Sequence, residues 1–173
     1  MRMTTISRTA RVLAIRAVVL LVVLAFSRRA GAQATSAADS SAVVAAVERL
    51  FDGMARRDTT ALRAVLMPGS QFISVRAGAD NAAPRRQADT TFLRSLAGGR
   101  EKLLERMWKP SVHVHGPIAV VWAPYDFHID GKFSHCGVDT FSLVRTTAGW
   151  QISGISYTVE PTGCAPSPLG DPR

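Results

Sequence analysis

The chain lacks a hydrophobic run long enough to span a membrane, a clustered basic face and internal repeats. These absences argue against a membrane-spanning protein, a nucleic-acid-binding protein and a repeat protein. Its uninterrupted apolar run at 17–26 is ten residues, or about 15 Å of helix, which is half of a hydrocarbon core. Basic residues after residue 34 stand singly except for two doublets, Arg56-Arg57 and Arg85-Arg86. Because nucleic-acid binding needs a clustered basic face, we expect no nucleic-acid partner.

Acidic residues are missing from the N-terminus, where six arginines precede Asp39, the first acid. A basic stretch, the apolar run and small residues up to Ala34 follow one another in the order of an export signal. Cleavage fits after Ala32 or after Ala34, and an uncleaved anchor is the alternative. No cysteine stands at the cleavage site, which argues against a lipoprotein. We predict a signal peptide at 1–34 and a periplasmic or secreted protein that leaves the membrane after cleavage.

The net charge is much smaller once the predicted signal peptide is removed. The whole chain carries a net charge of +8, but the part after residue 34 has 15 basic and 13 acidic residues, or +2. The only two cysteines, Cys136 and Cys164, both lie in this part. In an oxidising compartment such a pair is expected to form a disulfide, and two free thiols are the alternative. About 140 residues are a natural size for one core.

Helical periodicity marks the start of the exported chain. After a predicted linker at 35–41, apolar residues recur at helical spacing from Val43 to Met54. Residues 58–60 can cap a second, shorter helix, because their side chains accept hydrogen bonds from its first amides. Pro68-Gly69 is predicted to stop it.

A strand, a loop and a third helix follow. QFISVR at 71–76 is typical of a strand, and the polar stretch at 77–87 is predicted to be a mobile loop. Residues 89–96 are predicted to form a third capped helix, which Gly98-Gly99 closes.

The second half of the chain is predicted to be β. Turn signals separate its segments, and Asp130-Gly131 is the strongest hairpin signal because both central positions favour positive φ. Helices followed by an antiparallel meander indicate an α+β fold with the helices on one face of the sheet. Residues 165–173 are predicted to be a disordered tail. The four strand segments are Leu103–His115, Ile118–Ile129, Phe133–Arg145 and Trp150–Val159.

The order of elements and several stretches of sequence resemble the nuclear transport factor 2-like superfamily. DTTALRAVLMPGSQFISV at 58–75, after the helix from Val43 to Met54, resembles the opening helix pair and first strand of that superfamily. ERMWKP at 105–110, then 118–160 and Cys164, is similar to a secreted bacterial branch labelled lumazine-binding or polyketide cyclase-like on similarity alone.

The resemblance covers 42–164 and implies a cone-like, curved antiparallel sheet wrapped around three N-terminal helices, with a ligand site on the concave side. It also implies a homodimer through the outer sheet face. Relatives include steroid isomerases, polyketide cyclases, a dehydratase and binding or scaffolding proteins, so the fold does not decide the activity.

The inner face of the third predicted strand carries residues that can do chemistry. Phe141 and Leu143 mark this face by their apolar character, and alternation then places His135, Gly137 and Asp139 on the same side. Along a straight strand His135 and Asp139 are about 13 Å apart, so they do not bond directly unless the strand bends at Gly137.

Two registers across the Asp130-Gly131 turn remain open. A two-residue turn places Asp126 opposite His135 and Trp122 opposite Asp139. An acid beside the imidazole can tune its pKa for proton transfer near neutral pH, and so can a phenol, the partner in the second register.

A three-residue turn would instead put Tyr125 beside His135. His135 and Asp139 are the catalytic candidates in either case. A purely structural, hydrogen-bonded role for both side chains is the alternative.

Aromatic residues with a few polar groups suit a flat, largely apolar ligand. Trp122 and Tyr125 lie on opposite faces of one strand, so at most one of them lies deep in a pocket unless Pro124 introduces a bulge. The residues predicted to line the pocket are Trp108, His113, Trp122, Tyr125, His135, Asp139, Phe141 and Tyr157.

Metal binding is not predicted. His113 and His115 project from one face, but no carboxylate or thiol completes a tight local set of ligands. We expect neither a metal nor another cofactor.

Three functions remain open at this stage. The leading hypothesis is an exported domain that binds a small apolar or aromatic molecule, with no assignable reaction. The alternative is a dehydratase- or isomerase-like enzyme that uses His135 with Asp139 or Asp126. The third is a protein-interaction module of the cell envelope.

Overall fold

A computed structural model describes residues 37–76 and 83–172. The predicted signal peptide, its cleavage sites and the first part of the predicted mobile loop lie outside these residues. Within the two described ranges, no helix has the length and apolar character that crossing a membrane requires.

The described residues contain three helices: α1 over 37–56, α2 at Thr59–Val65 and α3 at Asp89–Gly98. The predicted linker is therefore helical from residue 37 onward. As predicted, α2 is capped, because the Asp58 carboxylate accepts hydrogen bonds from the backbone N–H groups of Thr60 and Ala61 at 3.0 and 2.9 Å.

The predicted side-chain cap of α3 is wrong. Ala88 occupies the cap position and makes no side-chain hydrogen bond there. The Asp89 carboxylate instead accepts a hydrogen bond from the backbone N–H of Gly69 at 3.1 Å, which ties α3 to the first strand.

Seven strands of the described residues form one sheet, in the order β2-β1-β7-β6-β5-β3, and β4 also pairs with β5. Neighbouring strands are antiparallel except β1 and β7, which run parallel. The α+β class is thus confirmed, with one parallel pair that the meander did not predict. The strands are β1 Leu66–Arg76, β2 Arg85–Ala88, β3 Leu103–Met107, β4 Ser111–His115, β5 Ile118–Ile129, β6 Lys132–Thr146 and β7 Gly149–Val159.

Two strand boundaries differ from the prediction. The polar residues 85–88, predicted as loop, form the edge strand β2 because their backbone pairs with 71–74 of β1. The single strand predicted at 103–115 is broken into β3 and β4, since Lys109 has a φ of 46° and Pro110 lacks an N–H. Both halves nevertheless pair with β5.

The hydrophobic core lies between the three helices and the inner face of the sheet. Val47, Leu50 and Leu62 come from the helices and are at most 2 % exposed. They belong to the same core cluster as Phe141 and Leu143 of β6, which are each 1 % exposed. The sheet therefore has a buried inner face and an outer face without helices.

The hairpin between β5 and β6 sets the register of the inner wall. Asp130 and Gly131 both have positive φ, and Ile129 pairs with Lys132, so the turn has two residues, one of the two lengths that the sequence left open. Beyond it Ser134 has no partner on β5, and the register shifts by one residue. Such a β-bulge increases the local twist of the sheet.

Gly137 allows an unusually close approach between β6 and the end of β7. A Cβ atom at this position would lie 2.3 Å from the backbone oxygen of Thr158. The same oxygen accepts a hydrogen bond of 2.7 Å from the Tyr125 hydroxyl. A residue with a side chain would force these strands apart.

Candidate functional site

An inner cavity of about 220 Å³ lies between the sheet and the helices. Its walls are mostly apolar, and stacked rings of Phe72 and Phe92, 4.4 Å apart, form one of them. Besides two tyrosines, four polar side chains also line it, namely Gln87, Glu105, His135 and Asp139. The other lining residues are Leu50, Phe51, Met54, Phe72, Phe92, Leu96, Leu103, Tyr125, Phe127, Phe141, Ile155 and Tyr157.

The carboxyl groups of Glu105 and Asp139 both line this cavity and lie within hydrogen-bonding reach of each other. Glu105 comes from β3 and Asp139 from β6, two strands that are separated by β5. Oδ2 of Asp139 is buried and has no hydrogen-bond partner among the described residues. Two carboxyl groups can form a hydrogen bond only if one of them is protonated, and burial favours that form.

Burial raises the pKa of both carboxyl groups. The pKa of Glu105 rises to about 7, first through loss of hydration and then through the negative charge of Asp126, while the bond from Asp139 opposes this rise. The pKa of Asp139 lies well above its ordinary value, because of burial and then of the charge and hydrogen bond of Glu105. In a hydrogen bond between them Asp139 is the donor, because the contact lowers the pKa of Glu105 and raises that of Asp139.

His135 lies on the same wall but bonds elsewhere. Its Nδ1 is 3.0 Å from Oγ of Ser134, and its ring is 5.1 Å from that of Phe127 and 5.7 Å from that of Tyr125. Burial and then the charge of Arg76 lower the pKa of His135, so the imidazole is neutral at neutral pH.

The two tyrosines of the cavity remain protonated as well. Burial raises the pKa of Tyr125 and of Tyr157, and the negative charges of Asp139 and Glu105 add to this effect. The Tyr125 hydroxyl already donates to Thr158. The cavity thus contains neutral phenols, a neutral imidazole and a carboxyl pair.

Solved structures with the same arrangement of helices and sheet are known. A nuclear transport factor 2-like superfamily protein from Salmonella enterica serovar Typhimurium has a TM-score of 0.59 at 14% identity, over 75% of this chain and 96% of that one. A candidate dehydratase of the same family from Streptomyces avermitilis has a TM-score of 0.58 at 19% identity, over 72% and 97%. The chain has the nuclear transport factor 2-like fold.

A further protein with this fold, from Novosphingobium aromaticivorans, is described as cystatin-like and has a TM-score of 0.59 at 15% identity, over 78% of this chain and 90% of that one. No family model matches the chain, and no curated protein matches it either. The predicted nuclear transport factor 2-like fold is therefore confirmed, whereas the similarity to a secreted branch stays a prediction.

Within the nuclear transport factor 2-like fold, five of the eight predicted pocket residues line the inner cavity. Alternation along β6 correctly placed His135, Asp139 and Phe141 on its inner face. Tyr125 and Tyr157 line the cavity from β5 and β7. Their role in ligand binding stays a prediction.

Trp108, His113 and Trp122 lie outside the inner cavity. Trp122 is 55% exposed on the outer face and pairs with Thr140, not with Asp139 as predicted. His113 is exposed on β4, and Trp108 follows β3 at the break and lines a separate cavity of about 480 Å³ beside the C-terminal segment.

The predicted pairing of Asp126 with His135 is wrong. The unpaired Ser134 places Phe127 opposite His135, so Asp126 faces the outer side of the sheet. There it accepts two hydrogen bonds from Arg106, at 2.8 and 2.6 Å. Asp126 therefore cannot act on a ligand in the inner cavity.

Glu105 is the chemically important residue that the sequence did not reveal. It stands beside Arg106 in LLERM, where a neighbouring acid and base are typical of a solvated surface pair. The one available signal was alternation within β3, since Leu103, Glu105 and Met107 all point inward.

The carboxyl pair provides an acid and a base side by side. Below about pH 7 both groups carry protons, and above it Glu105 becomes a carboxylate that accepts the O–H of Asp139.

The disulfide predicted between Cys136 and Cys164 is present, and the described residues contain no cluster of three potential metal ligands.

Proposed function

We propose that this chain binds one small, uncharged and flat molecule in the inner cavity. A volume of about 220 Å³ suits one or two fused rings, because an apolar cavity of about 150 Å³ holds benzene. The observation that carries the proposal is that Glu105 and Asp139 lie together among mostly apolar and aromatic walls, where burial favours their protonated forms. In such a cavity the apolar walls bind the ligand by burying its surface, and a polar contact fixes its orientation.

The protonation of the pair selects the chemistry of the ligand. Below about pH 7 the pair is uncharged and can donate an O–H to a carbonyl oxygen. Above it Glu105 is ionised and accepts the O–H of Asp139, so this O–H is no longer free to donate to the ligand. A neutral ketone or similar acceptor therefore fits the protonated pair, and a carboxylate ligand fits neither state, since His135 carries no positive charge.

α-Tetralone, a flat bicyclic ketone, tests this proposal, and tetralin, the same skeleton without the carbonyl, is its matched control. We expect NMR titrations to give α-tetralone roughly tenfold higher affinity at pH 6 than at pH 8, the worth of one hydrogen bond. E105Q should keep the affinity at pH 8 close to that at pH 6, because the amide does not ionise. Tetralin should bind equally at both pH values.

Equal affinities of α-tetralone and tetralin at both pH values would show that the carboxyl pair does not bind the carbonyl oxygen of the ligand. Failure of both compounds to bind the wild type would contradict a cavity open to molecules of this size. Native mass spectrometry of protein from its own envelope would then identify any retained molecule.

Proton transfer is a second candidate function, and the pKa of about 7 for Glu105 favours it. A general base is most effective when its pKa lies near the working pH. Glu105 would take a proton from the carbon next to a carbonyl group, and the Asp139 O–H, released as Glu105 gains that proton, would donate to the oxygen that becomes an enol. The candidate dehydratase from Streptomyces avermitilis has this fold, but its name is carried over here only as a hypothesis.

Hydrogen–deuterium exchange at the CH₂ group next to the carbonyl of α-tetralone measures this reaction directly. We expect the wild type to accelerate exchange with a rate that rises through pH 7, opposite to the trend of binding. E105Q should lose the acceleration. A wild-type rate equal to that of buffer would leave binding alone as the function.

We propose further that the protein is exported and cleaved after Ala32 or Ala34. The disulfide between Cys136 and Cys164 supports an oxidising compartment. Mass spectrometry of the mature chain tests this, and a first residue of Gln33 or Thr35 is expected. A chain that keeps residues 1–32 in its producing cell would contradict it.

A homodimer through the outer sheet face remains a proposal as well. Ile118, Val120 and Trp122 project from this face and are 56, 41 and 55% exposed. No outward residue of β5 from 118 to 124 or of β6 from 138 to 144 is charged, so a second copy meets no repulsion there. W122S should convert the dimer to a monomer in analytical ultracentrifugation, and a monomeric wild type would instead favour another envelope protein as partner.

A further inference from the structure

Arg106 and Glu105 are neighbours on β3 and project from opposite faces of the sheet. Glu105 lines the inner cavity, whereas Arg106 lies on the outer face with 15% of its side chain exposed. β3 is five residues long and, among the described strands, pairs only with β5. The position of the Glu105 carboxyl group therefore depends on what fixes this short edge strand.

The guanidinium group of Arg106 is held by two separate parts of the chain. Its Nε and Nη2 donate to both carboxylate oxygens of Asp126, the residue directly opposite on β5, at 2.8 and 2.6 Å. Its Nη1 donates to the backbone oxygen of Gly170 at 2.9 Å. A forked pair of this kind fixes orientation as well as distance.

The C-terminal segment at 164–172 is anchored in turn to β6. Cys164 is bonded to Cys136, with the Cα atoms 6.1 Å apart. Ser167 of the segment lies beside the Asp126 carboxylate and helps to lower its pKa. A continuous set of contacts thus runs from β6 through this segment to Arg106.

We propose that Arg106, held by Asp126 and by the disulfide-anchored segment, is the positioning residue that keeps Glu105 within reach of Asp139. The inference rests on the proposed function, because it concerns the same carboxyl pair. In a flat sheet β3 and β6 would lie two strand spacings apart, about 9.6 Å, so their side chains meet only where the sheet curls inward. Arg106 holds the edge strand in that position.

Loosening β3 has a direct consequence for Glu105. Its carboxyl group would regain water, and because burial is the largest cause of the raised pKa, the pKa would fall toward 4.5. Loss of the bond from Asp139 acts in the opposite direction but is the smaller effect. The pKa of Asp139 would fall too, since all of its causes weaken.

Other charged or titratable groups around the pair must stay unchanged for this test. They act on Glu105 itself or on the residues that surround it in the cavity, and none of them is altered in the variants below. These groups are Asp139 and His135 on β6, Tyr125 and Asp126 on β5, Tyr157 on β7, Glu48 and Asp52 on α1, Arg76 on β1 and Arg85 on β2.

Two variants loosen β3 without changing the charge. R106K keeps the positive charge but loses the forked geometry, and C136S/C164S frees the segment while leaving Arg106 and Asp126 in place. NMR titration of ¹³C-labelled Glu and Asp carboxyl groups gives the pKa of Glu105 in each protein. We expect about a tenfold loss of proton affinity in both variants. R94K, on the exposed side of α3, is the matched control and should match the wild type.

The outcomes separate this inference from the proposed function. A wild-type Glu105 that titrates near pH 4.5 would overturn the carboxyl pair itself. A wild-type value near 7 that persists in R106K and in C136S/C164S would overturn the positioning role and leave the pair intact. A lower melting temperature with an unchanged pKa is the result of a purely structural contact and would also overturn it.

Discussion

Replacement of Glu105 by glutamine should make the protein more stable at alkaline pH. The pKa of this carboxyl group is about 7 in the folded chain, against 4.5 for an ordinary glutamate. Between these two values the folded state holds a proton that the unfolded state has released. The free energy of unfolding therefore falls as pH rises from about 4.5 to about 7, and it stays low above that range.

The size of this loss follows from the difference in pKa. A difference of about 2.5 in pKa corresponds to about 3 kcal/mol in the free energy of unfolding. The glutamine of E105Q does not ionise, yet its carbonyl oxygen still accepts the hydrogen bond from Asp139. The variant should therefore lack this part of the pH dependence and exceed the wild type at pH 8 by up to about 3 kcal/mol.

Urea unfolding of the oxidised protein at pH 5, 6, 7 and 8 measures the effect, with tryptophan fluorescence as the signal. R94K, on the exposed side of α3, is the control and should follow the wild type at every pH. Parallel curves for the wild type and E105Q would refute the reasoning, because Glu105 would then titrate alike in both states.

Three further predictions concern the scaffold of the site. G137A should lower the free energy of unfolding by about 3 kcal/mol, since its Cβ would lie 2.3 Å from the Thr158 oxygen; urea unfolding measures this. C136S/C164S should lose about 3.5 kcal/mol, the chain-entropy value for a sequence separation of 28, and an unchanged melting temperature would contradict it. D58A should lose about 1 kcal/mol with the N-cap of α2, while native helix content persists in circular dichroism.

Alternation along β6 made the inner wall predictable from the sequence. Phe141 and Leu143 marked the buried face, and Asp139, 2 % exposed, lies on it as expected. The positive φ values at Asp130 and Gly131 were predictable for the same reason, because that dipeptide favours a two-residue hairpin.

The register beyond the turn could not be predicted in the same way. Ser134 is left unpaired by a β-bulge, and a serine in a strand carries no signal of one. This single residue moved Asp126 away from His135 and paired Trp122 with Thr140. Side chains alternate between the two faces of a strand, so a shift of one residue in the register changes every cross-strand partner that follows.

Glu105 and β2 escaped prediction because tertiary contacts determine both. β2 is a polar stretch that becomes a strand only through its pairing with β1. Glu105 stands next to Arg106 in sequence, but the curvature of the sheet sends its carboxyl group to Asp139 on a strand that is not a neighbour. Local residue preferences predict neither the bulge nor the curvature of the sheet.

The most direct measurement is a ¹³C NMR titration of the side-chain carboxyl groups of the unmodified protein between pH 3 and 10. The account predicts that Glu105 loses its proton near pH 7 and that Asp139 loses its proton at a clearly higher pH than an ordinary aspartate. If both groups instead titrated between about pH 3.5 and 4.5, they would be hydrated and independent, and the acid–base pair in the cavity would not exist.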